Sequence, residues 1–218
     1  LKECELALEW LKSGNEKRLQ GLRVFCEHRD ARALPLLTPL LQEPCPVVRM
    51  SAVYALGRNP SPGAVNTLLN LLESDSNAYV RKATAWSLGN YSDAPVLKPL
   101  IKALKQDVSA VRLWASSSLA EVGLASKEHS LTVANQLLLS LRIDSEPVVR
   151  SNCIWSLGRL YGNFNKKLKQ QVVDDFLSVL LQDTEPSVRY EARIALEQLE
   201  DSQAKARLKS LIEEGQLG

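Results

Sequence analysis

Val80-Arg81-Lys82-Ala83-Thr84-Ala85-Trp86-Ser87-Leu88-Gly89 has close copies on both sides of it. Val48-Arg49-Met50-Ser51-Ala52-Val53-Tyr54-Ala55-Leu56-Gly57 precedes it, and Val149-Arg150-Ser151-Asn152-Cys153-Ile154-Trp155-Ser156-Leu157-Gly158 follows. Two further copies open at Val111-Arg112 and Val188-Arg189 and lack the closing glycine. The opening valines are separated by 32, 31, 38 and 39 residues. Upstream, Glu16 to His28 aligns as a degenerate copy when Lys17-Arg18 stands for Val-Arg, with Gly21, Val24 and Phe25 where Ala52, Ala55 and Leu56 recur later. Self-similarity at such a period marks a repeat array, not separate globular domains.

Each interval holds two helices. Leu37, Leu40 and Leu41 return as Leu69 and Leu72, as Leu97, Ile101 and Leu104, as Leu138 and Leu141, and as Leu177, Leu180 and Leu181. That is the apolar stripe of an amphipathic first helix. The second helix begins near Val-Arg, where Pro46, Pro147 and Pro186 suit a first turn that needs no amide donor. The longer repeats carry their extra residues around Ala125 to Thr132 and Asn163 to Gln170, lengthening the first helix or its approach loop. One hairpin alone leaves an apolar side bare, so neighbours must cover it. The expected organisation is a single solenoid over 1–218, with a capping helix in 1–14, about six repeats in 15–201 and a closing amphipathic helix in 202–218 that Gly215 ends.

Hydrophobic residues make up 45% of the 218, and the net charge is +2. No apolar run is long enough to span a membrane, and no basic cluster is long enough to hold a polyanion. The four cysteines stand far apart without a CxxC pair, which reads as reduced, structural thiols in a cytoplasmic protein. A start at Leu1-Lys2-Glu3 has no signal-peptide pattern and suggests a chain beginning inside a longer one.

The acidic residue, the Val-Arg pair and the small-x-x-small-Leu-Gly run together resemble HEAT repeats, specifically the short HEAT-like repeats of phycobilin lyase subunits. The likeness runs from about Glu16 to Asp201. It implies an all-α, right-handed α-solenoid whose second helices line a concave side, and it leans towards a cyanobacterial source. It leaves the activity open, because such arrays serve as scaffolds, transport receptors, lyase subunits and sometimes enzymes.

Arg49, Arg81, Arg112, Arg150 and Arg189 each follow an acidic residue, Glu43, Asp75, Asp107, Asp144 and Asp183, so they read as a structural guanidinium–carboxylate ladder before an anion-binding row. On the second helices, counting 100° per residue from the valine puts Val, small residues and Leu on a core side. Tyr54, Trp86, Trp114, Trp155 and Tyr190 fall off that side, among Arg58, Lys82, Asn90, Asn152, Arg159 and Gln198, with Glu121 and Glu191 near them and Tyr91 at the adjoining turn. These rings either pack along the inside of the curve or offer buried area to a partner at low entropic cost. The candidate partner-binding residues are Tyr54, Arg58, Trp86, Asn90, Trp114, Asn152, Trp155, Arg159 and Tyr190.

No catalytic set appears. His28 and His129 follow Glu27 and Glu128 and are too far apart for a di-iron site, and there is no Ser-His-Asp set, phosphate loop or zinc-protease pattern. No metal or cofactor of its own is expected. The leading expectation is a non-catalytic scaffold or chaperone-like adaptor for a protein partner. The alternatives are a phycobilin-lyase-like subunit acting on an open-chain tetrapyrrole or a phycobiliprotein, and a helper for a cofactor-carrying partner such as an iron–sulfur carrier. A base-excising glycosylase is disfavoured by the near-neutral charge and the lack of an aspartate on the ring-bearing side, so neither nucleic acid nor membrane is expected as a partner.

Overall fold

The computed structural model describes residues 2–216; Leu1 and the last two residues of the expected closing cap lie outside them. The described residues form thirteen α-helices and no strand: α1 (Lys2–Leu11), α2 (Asn15–Glu27), α3 (Leu34–Leu37), α4 (Pro46–Arg58), α5 (Val65–Ser74), α6 (Ala78–Leu88), α7 (Leu97–Gln106), α8 (Ser109–Ala125), α9 (Lys127–Ile143), α10 (Pro147–Leu160), α11 (Lys166–Gln182), α12 (Pro186–Gln198) and α13 (Ser202–Glu213). The fold is an all-α solenoid of helical hairpins, and its chain divides into two compact units, Leu1–Glu121 and Val122–Gly218.

In Leu1–Glu121 the second helices lie side by side, α2 against α4 and α4 against α6, while α5 packs on α6 and α7. The first helix of the first full pair is broken. Pro35 and Pro39 remove amide donors, so only four residues of α3 are α-helical, between 3₁₀ turns at Ala31–Ala33 and Thr38–Gln42. Leu37, Leu40 and Leu41 are buried all the same. In Val122–Gly218, α9 and α11 are the first helices, packed on α10 and α12, and α13 closes on α12. The extra residues of the longer repeats became helix: α9 and α11 have 17 residues where α5 and α7 have 10. Gly215, at φ 69°, takes the left-handed turn that follows α13.

Val48, Val80, Val111, Val149 and Val188 are all buried, as are Leu56, Leu88 and Leu157. The core stripe is wider than the valine-centred count suggested, because Val53, Ala85 and Ile154 are buried beside it. Small residues let the helices approach: the Ser118 hydroxyl reaches across to donate to the Ala85 carbonyl at 2.7 Å.

Within each unit the arginine ladder ties successive repeats together. Arg49 donates through Nε and Nη2 to Asp75 at 2.8 and 2.9 Å, Arg81 to Asp107 at 2.8 Å twice, and Arg150 to Asp183 at 2.8 and 2.7 Å. The remaining Nη1 of each turns back to its own repeat's loop, on the carbonyls of Glu43, Asp75 and Asp144. Arg18 of the degenerate copy joins in, 3.0 Å from Glu43. Burial opposes ionisation of Asp75, Asp107 and Asp183, but the facing guanidinium and a backbone amide more than offset it, so all three carboxyls lie below their ordinary range.

Two buried polar side chains fasten the helix ends. Asn59 donates to the carbonyls of Phe25, His28 and Ala55 and accepts from the Asp30 amide. The Tyr91 hydroxyl donates to Leu56 O at 3.0 Å and accepts from the Ser61 amide. Tyr91, expected to border the binding surface, is thus committed to the fold.

Candidate functional site

One position organises the solvent side of the second helices. Five residues past each ladder arginine stand Arg23, Tyr54, Trp86, Ser117, Trp155 and Ile194, and nine past it stand Glu27, Arg58, Asn90, Glu121, Arg159 and Gln198. Within each unit the ladder fixes the register of consecutive repeats, so residues at one count line up from helix to helix.

In Leu1–Glu121 the structure brings Tyr54 and Trp86 together, ring centroids 5.3 Å apart at a tilt of 56°. Both are half-buried. Burial raises the Tyr54 hydroxyl pKa, with the nearby Cys26 adding to the effect. Trp86 also explains the closing glycine of the preceding repeat: a Cβ on Gly57 would lie 2.5 Å from Trp86 Cζ3 and 3.0 Å from Ser87 Oγ. The ring is therefore part of the stack, the first of the two readings its sequence position allowed. Arg58 and Asn90 are exposed one turn further on, with Arg58 Nε donating to Glu27 O at 3.3 Å. Trp114 is half-buried.

In Val122–Gly218 Trp155 holds the same register and is exposed, Ile194 at that count is half-buried, and the exposed Tyr190 stands one residue past Arg189. Trp155 is 48% exposed and Tyr190 62%. The Arg159 guanidinium lies 4.9 Å from the Trp155 ring centroid, a cation–π contact that covers one part of the indole. Asn152 is half-buried. A Cβ on Gly158 would meet nothing within 4 Å. The residues Tyr54, Arg58, Trp86, Asn90 and Trp114 thus belong to one unit and Asn152, Trp155, Arg159 and Tyr190 to the other.

Among the described residues no group of three or more His, Cys, Asp or Glu side chains is placed to hold a metal ion. Burial pushes the Cys26 thiol up to about 11, its Sγ lying 3.7 Å from Ser51 O, and Cys153 is buried, so neither is an activated nucleophile. No helix among the described residues is long and apolar enough to cross a membrane. Sequence reasoning missed two features. Arg23 shares the register of Tyr54 and Trp86, a match that only the alignment of Arg18 with Arg49 signals. A groove of about 710 Å³ also lies between α5 and α7, floored by Leu69, Leu72, Pro99 and Ala103, and no candidate site residue lines it.

A family model described as HEAT repeats matches residues 5–89, 65–157 and 134–217. Among curated proteins no relative matches the sequence. Among solved structures, an engineered protein is similar at 22% identity and TM-score 0.65, covering 89% of this chain and 97% of its own. The complex of CpcE and CpcF of phycocyanin lyase from Nostoc sp. PCC7120 is similar at 24% identity and TM-score 0.62, covering 76% and 99%. A designed armadillo repeat protein in complex with the peptide (KR)4 is similar at 22% identity and TM-score 0.63, covering 88% and 97%.

Proposed function

For a chain that belongs to the HEAT-repeat family, we propose the work of a non-catalytic adaptor that seats a protein partner on the solvent side of its second helices. The exposure of Trp155 and Tyr190 carries this reading, because both are large rings left in water on helices whose other side is fully packed. Such rings contribute large buried area for two side-chain torsions each, which is why they anchor interfaces. Asn152 and Arg159 supply polar contacts around them, and Tyr54, Arg58, Trp86, Asn90 and Trp114 are the corresponding contacts in Leu1–Glu121. The test replaces Trp155 and Tyr190 together by alanine and measures partner capture from the native extract beside the far-ultraviolet dichroism. Capture should fall at least tenfold with the helical signal unchanged; full capture by the folded double variant refutes the placement.

One observation favours a second reading. An exposed indole with a guanidinium 4.9 Å from its centre suits a flat, conjugated, carboxylate-bearing ligand such as an open-chain tetrapyrrole, and a phycocyanin lyase complex is among the fold's neighbours. Adding a bilin to the purified chain should then shift its visible spectrum, and Trp155→Ala should abolish the shift. An unchanged spectrum leaves the protein-adaptor reading alone.

A further inference from the structure

We propose that the second-helix face of Leu1–Glu121 takes an acidic, extended segment of its partner, an inference that rests on the adaptor reading and adds the chemistry of what binds.

Three cations share the helix face of the Tyr54–Trp86 pair by register. Arg23 holds the matching place on α2, Arg58 lies one turn past Tyr54 on α4, and Lys82 lies one turn before Trp86 on α6. None is engaged by a carboxylate, and the only bond among them is the one from Arg58 Nε to a backbone carbonyl. Elsewhere in the same unit Arg18, Arg32, Arg49 and Arg81 are each held by Glu or Asp at 2.6–3.0 Å. The ladder and cap arginines are thus held, whereas Arg23, Arg58 and Lys82 face no carboxylate, and neither do Lys17, Arg29, Lys98 and Lys105 elsewhere in the unit; what distinguishes the first three is their place by register beside an aromatic pair. Arginine and lysine beside half-buried rings recognise carboxylates by charge-assisted bonds while the rings take the apolar stems.

Neighbouring helices lie about 10 Å apart, and a polyproline II chain advances about 3.1 Å per residue with about three residues per turn, so carboxylates about three residues apart meet successive helices from one side. Glu27 shares the register of Arg58, and three cations are fewer than the roughly six to ten phosphate contacts of a typical nucleic-acid site. The small number of cations favours spaced carboxylates over a polyphosphate backbone, and Glu27 opposes an anion of either kind at its own point on the face.

The experiment pans random twelve-residue peptides, displayed on phage, against the full chain. Enriched peptides are then measured by fluorescence anisotropy at low and high NaCl, with a twelve-nucleotide single strand as competitor. Enriched peptides should be rich in Asp and Glu and lose affinity on raising salt. Arg23→Glu with Lys82→Glu should weaken them at least tenfold, while Arg23→Lys with Lys82→Arg keeps them within about threefold, with equal dichroism throughout.

Neutral or basic enriched peptides, indifference to charge reversal, or equal displacement by the oligonucleotide each overturn the inference. If those peptides are instead lost on Trp155→Ala/Tyr190→Ala, the adaptor reading survives without the acidic segment. Enrichment of no peptide at all overturns both.

Discussion

Trp86 and Trp155 occupy the same place in two copies of one repeat and do different work. Trp86 fills the notch left by Gly57 and tilts against Tyr54. Trp155 stands nearly half exposed beside Arg159, and the Gly158 that closes its own repeat faces open space where the next helix, α12, brings Ile194 and Ala195 in the register of Trp86 and Ser87. A ring in a repeat therefore serves the stack or the surface according to what the adjoining helix sets opposite it. In Leu1–Glu121 the stack has absorbed Trp86 and part of Tyr54; in Val122–Gly218 Trp155 and Tyr190 remain exposed.

The largest expected effect should not separate the two regions at all. Arg81→Ala and Arg150→Ala each remove a two-pronged ion pair and a loop carbonyl's donor, leaving a poorly hydrated aspartate behind. Each should cost about 3 kcal/mol in urea unfolding. A large disparity would mean the ladder is not the shared frame assumed in comparing the tryptophans.

Next comes the comparison itself. Trp86→Ala opens a space against Gly57 and Tyr54 and should cost about 2 kcal/mol, less than a fully buried tryptophan. Trp155→Ala should cost less than about 1 kcal/mol. Equal losses would erase the distinction. The glycines sharpen it in the opposite sense. Gly57→Ala forces the Trp86 ring aside and should destabilise by about 1–2 kcal/mol. Gly158→Ala meets no neighbour in a helix of ordinary φ and should stabilise by about 0.5–1 kcal/mol.

Smallest near neutrality is the response to pH. The folded-state carboxyls of Asp75, Asp107 and Asp183 sit below their ordinary value of 3.8. Their contribution is thus fully present above that value and is lost as pH falls through the lower folded values. Urea midpoints should be level in this contribution from pH 7 to about 5 and decline below pH 4. Asp75→Asn and Asp183→Asn should each flatten the decline.

The architecture was legible because the core repeats with the chain: the valines, the small residues and the leucine stripes recur at fixed offsets and all point inward. The ladder was legible for the same reason, although Arg18, in a copy that had lost its valine, was aligned with Arg49 without being counted in it. Three things were not. Pro35 and Pro39 broke a helix whose leucine spacing still looked regular. Tyr91 looked like a surface ring and turned out to hold the Leu56 carbonyl, because its partner lies 35 residues back. The fate of each tryptophan depended on contacts across helices, and an isolated repeat copy says nothing of what the adjoining copy sets against it. Trp86 and Trp155 are both followed by Ser-Leu, so only packing could tell them apart.

We propose that Trp155 is the main contact and that Trp86 serves the stack first, offering a partner only the part the stack leaves exposed. Site-specific incorporation of a benzophenone amino acid at Trp155, and separately at Leu131 on the exposed side of α9, tests it most directly, with irradiation in the native extract and gel analysis. A discrete covalent protein adduct from position 155, absent from position 131, is the predicted result. Equal labelling at both positions, or adducts from 131 alone, would contradict the account.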